Sequence, residues 1–149
     1  MNAGYMHETT DFREAKGGVP SKPHRIVIER KAHKDMRYDT CGDYYFDEIG
    51  DLHIDIVEMG NELSEIAVAA HELMEEYSTR KKGLLESDIK AYDEEHWADD
   101  GPGENKDAPY HPEHMNSNRV EKFLLKLYKG LSWKKHQQLV MDSCEGDSK

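Results

Sequence analysis

Two hydrophobic periods divide the chain. In its first part, β-branched residues gather in 24-HRIVIERKA-32, the residue types that suit a pleated, half-buried surface. Alternation sharpens over residues 37–57, where Leu52, Ile54 and Ile56 share one face and His53 and Asp55 the other, a period of two. The intervening 47-DEIGD-51 reads as a turn, with Gly50 where positive φ is needed. A hairpin is predicted, extending into a small antiparallel sheet of about three strands.

After Met59-Gly60 the period becomes helical. Leu63, Ile66, Ala67, Ala70, Met74 and Tyr77 recur at its spacing, Asn61 can cap the start, and a stop is expected near Thr79, before 80-RKKG-83. A second helix begins at Ser87, with Ile89, Tyr92, Asp93 and His96 on one side; 98-ADDGPGENKDAP-109 is a loop. A third helix follows, opened by Pro112 or by the capping-box pattern 118-NRVE-121, with a stripe of Val120, Phe123, Leu124, Leu127 and Tyr128. The predicted class is α+β: a small antiparallel sheet followed by about three helices. Residues 1–23 are expected to be flexible, 24–141 to form one domain, and 142–149 to be a flexible tail. Tyr44, Tyr45 and Phe46 are expected in sheet packing, Trp97 at a core edge, and Trp133 as an anchor for the C-terminal segment.

Composition narrows the function classes. The chain has 149 residues, 36% hydrophobic and 34% charged, and a formal charge of −11. No apolar run approaches the roughly 20 residues of a membrane span, and residues 1–18 carry no signal-peptide pattern, so cytoplasmic residence is the expectation (a host cytoplasm if the chain is phage-encoded). Basic residues are concentrated at 22–34, at 80–82 and along 119–135, none of these a long uninterrupted run, which argues against nucleic acid; a protein or peptide is the expected partner. The two cysteines, Cys41 and Cys144, lack the spacing of a zinc site and read as free thiols.

The candidate chemistry lies in 68-VAAHELMEEY-77. Residues i and i+4 stand one above the other on a helix, so His71 and Glu75 can grip one divalent ion. Glu72, rotated by about 100°, would sit beside it as general base. This is the logic of HExxH zinc hydrolases, with a carboxylate for the second imidazole. Zinc is the expected metal; the added carboxylate also suits manganese or iron. Further ligands are offered by His114 first and Asp93 second, then by His111 and Glu121. Against each stands a plainer role: a solvated acidic face for Glu72 and Glu75, a loop-to-helix cap for His111 and His114, a solvated helix position for Asp93, a capping-box partner for Glu121.

The blocks 40-TCGDYYFDEIGDLHIDIVEMGN-61, AHELMEE, 89-IKAYDEEH-96, 107-DAPYHPEH-114 and 119-RVEKFL-124 resemble a family of small uncharacterised phage and bacterial proteins. That family shares a GD hairpin, an HELxE helix, an aromatic-Asp pair and an APYxxxH segment. The likeness covers about residues 38–130 and implies that His71, Glu72, Glu75, Asp93, His114 and Glu121 belong to one constellation. Similarity to zincin-type metallopeptidases is confined to one helix and departs at Glu75. Three functions follow as expectations: a zincin-like metallohydrolase, possibly a peptidase; a non-enzymatic phage accessory protein that binds a host factor; and a Mg- or Mn-dependent nucleotide pyrophosphohydrolase using 62-ELSE-65 and 72-ELME-75.

Overall fold

The computed structural model describes residues 22–96 and 101–145. Trp97, residues 1–21 of the N-terminal segment and 146–149 of the tail lie outside them. Three strands, β1 (Ile26–Lys31), β2 (Gly42–Phe46) and β3 (Leu52–Val57), form one sheet in the order β1-β3-β2. Helices α1 (Glu62–Lys82), α2 (Glu86–Glu95), α3 (His111–Tyr128) and α4 (Trp133–Glu145) follow, with short 3-10 turns at His33–Asp35 and Pro102–Glu104. The class is α+β, as the two periods indicate.

The β2–β3 hairpin forms as expected, with Tyr44 opposite Ile54. Gly50 takes φ 88°, and Asp47 Oδ1 accepts from the backbone N–H of Ile49 and Asp51. The antiparallel reading fails at β1, which runs parallel to β3 with Ile26 opposite Leu52, so the sheet is mixed. Alternation tells which face a residue uses and is silent on strand direction. The link through residues 32–41 carries the chain to the far side of β3, which becomes the central strand and is buried on both faces. Leu52, Ile54 and Ile56 point into the core; Asp55, on the other face, is tied to Lys31 Nζ at 2.9 Å.

Asn61 caps α1, its Oδ1 accepting from Ser64 N at 3.0 Å, and Gly83 closes it at φ 86°. Pro112 stands in the first turn of α3, so 118-NRVE-121 is helix interior. A fourth helix corrects the count of about three. The break before it is local: Lys129 adopts φ 52°, and Gly130 lies so close to Leu63 that a side chain there would collide with it. Residues 142–145, read as tail, are the last turn of α4. Cys41, before β2, and Cys144, in that turn, form a disulfide with Cα atoms 5.7 Å apart, within the usual span of such bridges. This overturns the free-thiol reading; a separation of 103 residues hides the proximity from any local pattern.

The helical stripes hold only in part: Ala67 of the α1 stripe is fully buried, but other members are not. Ile66, Met74 and Tyr77 on α1, and Phe123, Leu127 and Tyr128 on α3, are exposed. The inward faces carry Ser64, Val68, His71, Glu75 and Thr79 on α1, and Ser117, Asn118, Glu121 and Leu125 on α3. The apolar core lies between α1 and the sheet: Tyr44, Leu52, Ile54, Ile56, Met59, Val68 and Ala69, closed by Ile89, Ala108 and Tyr110. Among the described residues no helix is long and apolar enough to cross a membrane.

Candidate metal centre between α1 and α3

Helical geometry sets His71 and Glu75 one turn apart on the face of α1 that meets α3. His71 Nε2 lies 3.0 Å from Glu75 Oε2. From the first turn of α3, His114 brings Nδ1 to the same oxygen, also at 3.0 Å. One ligand atom from each of His71, Glu75 and His114 falls within 4.8 Å of the others, a group that could hold a metal ion. Two close approaches make this possible. Gly103 faces the His114 ring, where a Cβ would come within 2.6 Å of the imidazole. Edge-to-face packing sets the two imidazoles 4.7 Å apart between centroids.

The remaining ring nitrogens are equally directed. His71 Nδ1 lies against Glu121 Oε1, off the line of an ideal hydrogen bond. His114 Nε2 faces Glu104 Oε1 at 3.3 Å, and Asn118 Nδ2 donates to that oxygen at 2.7 Å. Each imidazole thus has Glu75 on one nitrogen and a second carboxylate on the other. Metal-ligating histidines show this pattern, because a carboxylate on the far nitrogen fixes the tautomer and raises ligand basicity.

Electrostatics follow from the same contacts. Burial alone would raise the Glu75 carboxyl, but hydrogen bonds from His114 and His71 bring it down to about 2. Glu121 is likewise lowered, against burial, by His136 and His71. Burial would lower His71, but Glu121 and Glu75 hold its imidazolium well above the usual histidine range. Glu72 goes the other way. Its side chain is half-buried as a whole, but its carboxyl is desolvated and sits in the field of Glu75, so it is raised well above the carboxylate range. It packs over Gly42 of β2, where a Cβ would come within 2.8 Å of its side chain. Among the described residues, no side chain hydrogen-bonds its carboxylate.

Of the residues singled out in the sequence, His71, Glu75 and His114 converge, with Glu72 alongside and Glu121 behind His71. Asp93 and His111 do not enter the group. Asp93 accepts from Tyr38 at 3.1 Å and, more closely, from Tyr110; burial outweighs these bonds and lifts its carboxyl to about 6. His111 Nδ1 is 2.9 Å from the Gly103 carbonyl and pins the loop. Sequence reasoning missed Glu104, Asn118 as its donor, and His136. Glu104 sits in a Gly/Pro loop and His136 on a helix not recognised as one, so neither had a helical register to place it.

No family model matches the chain, and no curated protein or solved structure matches it. The fold and site define it as an α+β domain with a candidate His-Glu-His metal centre.

Proposed function

We propose that this chain binds one divalent metal ion, zinc in preference to manganese or iron, through His71, Glu75 and His114, and acts as a zincin-like metallohydrolase. The observation that carries the reading is the paired orientation of His71 and His114 about Glu75 Oε2, each backed by its own carboxylate. Two imidazoles and one carboxylate form a ligand set of the kind catalytic zinc sites use, leaving the fourth position for water or substrate.

A bound divalent ion would supply Lewis acidity, polarising a carbonyl oxygen and lowering the pKa of water. This chain's own residues do the rest. Glu72, its carboxyl raised above the usual carboxylate range by burial and by Glu75 and hydrogen-bonded by no side chain among the described residues, accepts a proton from water and returns it to a leaving group, the role of a general acid–base carboxyl. Glu121 and Glu104 hold the rings. The candidate substrate is a protein or peptide, supported by the place of β1 at the end of the strand order with most of its residues exposed, beside which an extended chain could add.

One observation favours the second reading, a structural metal in a phage accessory protein. The His71 and Glu75 side chains are each only 5% exposed, so access to the group is from His114, at 18%. The nucleotide pyrophosphohydrolase reading loses support, because Glu65 of the ELSE motif is engaged by Arg30 and by Met59 N.

The test is metal content by mass spectrometry on protein purified without an affinity tag. Wild type should carry about one ion per chain and His71→Ala none. Glu72→Gln should keep the ion and lose any peptidase or esterase turnover found in a screen. Turnover equal to wild type in Glu72→Gln would remove the hydrolase mechanism and leave the structural-metal reading.

A further inference from the structure

Glu121 uses only one oxygen on His71. Its other oxygen, Oε2, is 2.6 Å from His136 Nε2. The opposite ring nitrogen of His136 is 3.0 Å from Ser64 Oγ. His136 is 1% exposed and Ser64 fully buried. These contacts link α4 to α3 and both to α1, across sequence separations of 15 and 72 residues. The order serine, histidine, carboxylate resembles a nucleophilic triad, but a fully buried Ser64 cannot meet a substrate, and Glu121 is spent on His71.

We propose that His136 is a positioning residue of the metal centre: anchored by Ser64, it holds Glu121 in the rotamer that receives His71 Nδ1, and thereby aims His71 Nε2 at the metal position. The inference rests on the metal reading above and extends it to a residue one step further out.

The chemistry requires this direction. An ionised carboxylate only accepts hydrogen bonds, so His136 Nε2 donates to Glu121 Oε2. That leaves Oε1 for the N–H on His71 Nδ1. With one proton committed there, it is the Nε2 proton, shared with Glu75 in the metal-free chain, that a cation would displace to gain the Nε2 lone pair. Without His136, Glu121 would keep a buried oxygen with no donor, an arrangement that favours rotation of the carboxylate towards water. Outer partners of metal-binding histidines change affinity by about 10- to 100-fold when removed.

The experiment measures the Zn²⁺ dissociation constant by competition with a chromogenic chelator. It compares wild type, His71→Ala, His136→Gln and His136→Met. Gln reaches the same depth with an N–H donor; Met fills a similar volume with none. The expected result is a loss of about 10- to 100-fold in affinity for His136→Met and near wild-type affinity for His136→Gln, with both variants folded by circular dichroism. Equal affinities for the Met and Gln variants would overturn the positioning role. If wild type binds tightly, His71→Ala does not, and His136→Met matches wild type, only this inference fails. If wild type binds no Zn²⁺, the metal reading fails and this one with it. Should the Met variant not fold, Ser64→Ala decides: the inference expects weaker Zn²⁺ binding in a chain that still folds by circular dichroism, and an unchanged dissociation constant overturns it.

Discussion

Helix α1 makes two interfaces of opposite character. Towards the sheet it packs Val68 and Ala69 against Tyr44, Leu52, Ile54 and Ile56, a dry contact whose stability comes from area removed from water. Towards α3 it buries His71 and Glu75 against His114 and Glu121, where each group must find a partner or cost free energy. Meanwhile Ile66 of α1 and Phe123 of α3, the obvious candidates for a helix–helix seam, are 50% and 62% exposed. An apolar seam would hold the helices together more simply. A buried ionic cluster is weak evidence for stability, and it is on this cluster that the proposed metal centre rests.

Breaking each interface at its centre should separate the two kinds. Glu121→Ala strips both His71 and His136 of a carboxylate and should cost about 3–5 kcal/mol in the metal-free protein, as when one partner of a buried pair is removed. Ile54→Ala, on the dry side, should cost about 2–4 kcal/mol through a cavity. Urea unfolding in the presence and absence of Zn²⁺ distinguishes them. The Ile54 variant should gain the same increment as wild type on adding metal, and the Glu121 variant much less.

Of the two interfaces of α1, the polar one should answer to acid and base. Glu75 is held at about 2 in the folded chain against an ordinary 4.5. Its folded value is depressed, so its stabilisation is present above about pH 4.5 and is lost as pH falls towards 2. A decline of about 2–3 kcal/mol over that window is expected. His71 has the opposite sign: its folded value is raised above 6.5, so its contribution is full below pH 6.5 and lost at alkaline pH. Metal-free wild type should therefore be most stable between these limbs. A Glu75→Gln variant with an unchanged acid limb would refute the assignment.

Asp93 offers a finer probe, because its carboxyl is raised to about 6 from 3.8. Here the neutral form is favoured in the fold, so stability should fall as pH rises from about 3.8 to 6. Asp93→Asn should remove that slope and gain about 1–2 kcal/mol at neutral pH once solvent screening is allowed for. Thermal melts at pH 4 and pH 7 would check it; a melting temperature lowered by the substitution at pH 7 would contradict it. The smallest effects should come from the outward apolar residues. Ile66→Ser and Phe123→Ser should each change stability by less than about 0.5 kcal/mol, and a larger loss in dilute solution would reveal a covering partner.

The sequence by itself determined the α+β class, the β2–β3 hairpin, the start of α1 at its Asn61 cap and, to within a turn, its end (expected near Thr79, found at Lys82), and the helical spacing that aligns His71 with Glu75. All of these follow from periodicity, turn chemistry and capping, which act over a few residues. Only the tertiary structure decided that β1 runs parallel to β3, that α1 turns its polar face inwards, that Cys41 meets Cys144, and that His114, Glu121 and His136 join His71 while Asp93 is drawn to Tyr38 and Tyr110. Hydrophobic period assumes that the apolar face is the buried one. On α1 and α3 that assumption fails, because partners distant in sequence satisfy the buried imidazoles and carboxylates, and the pairing exists only once the helices have met.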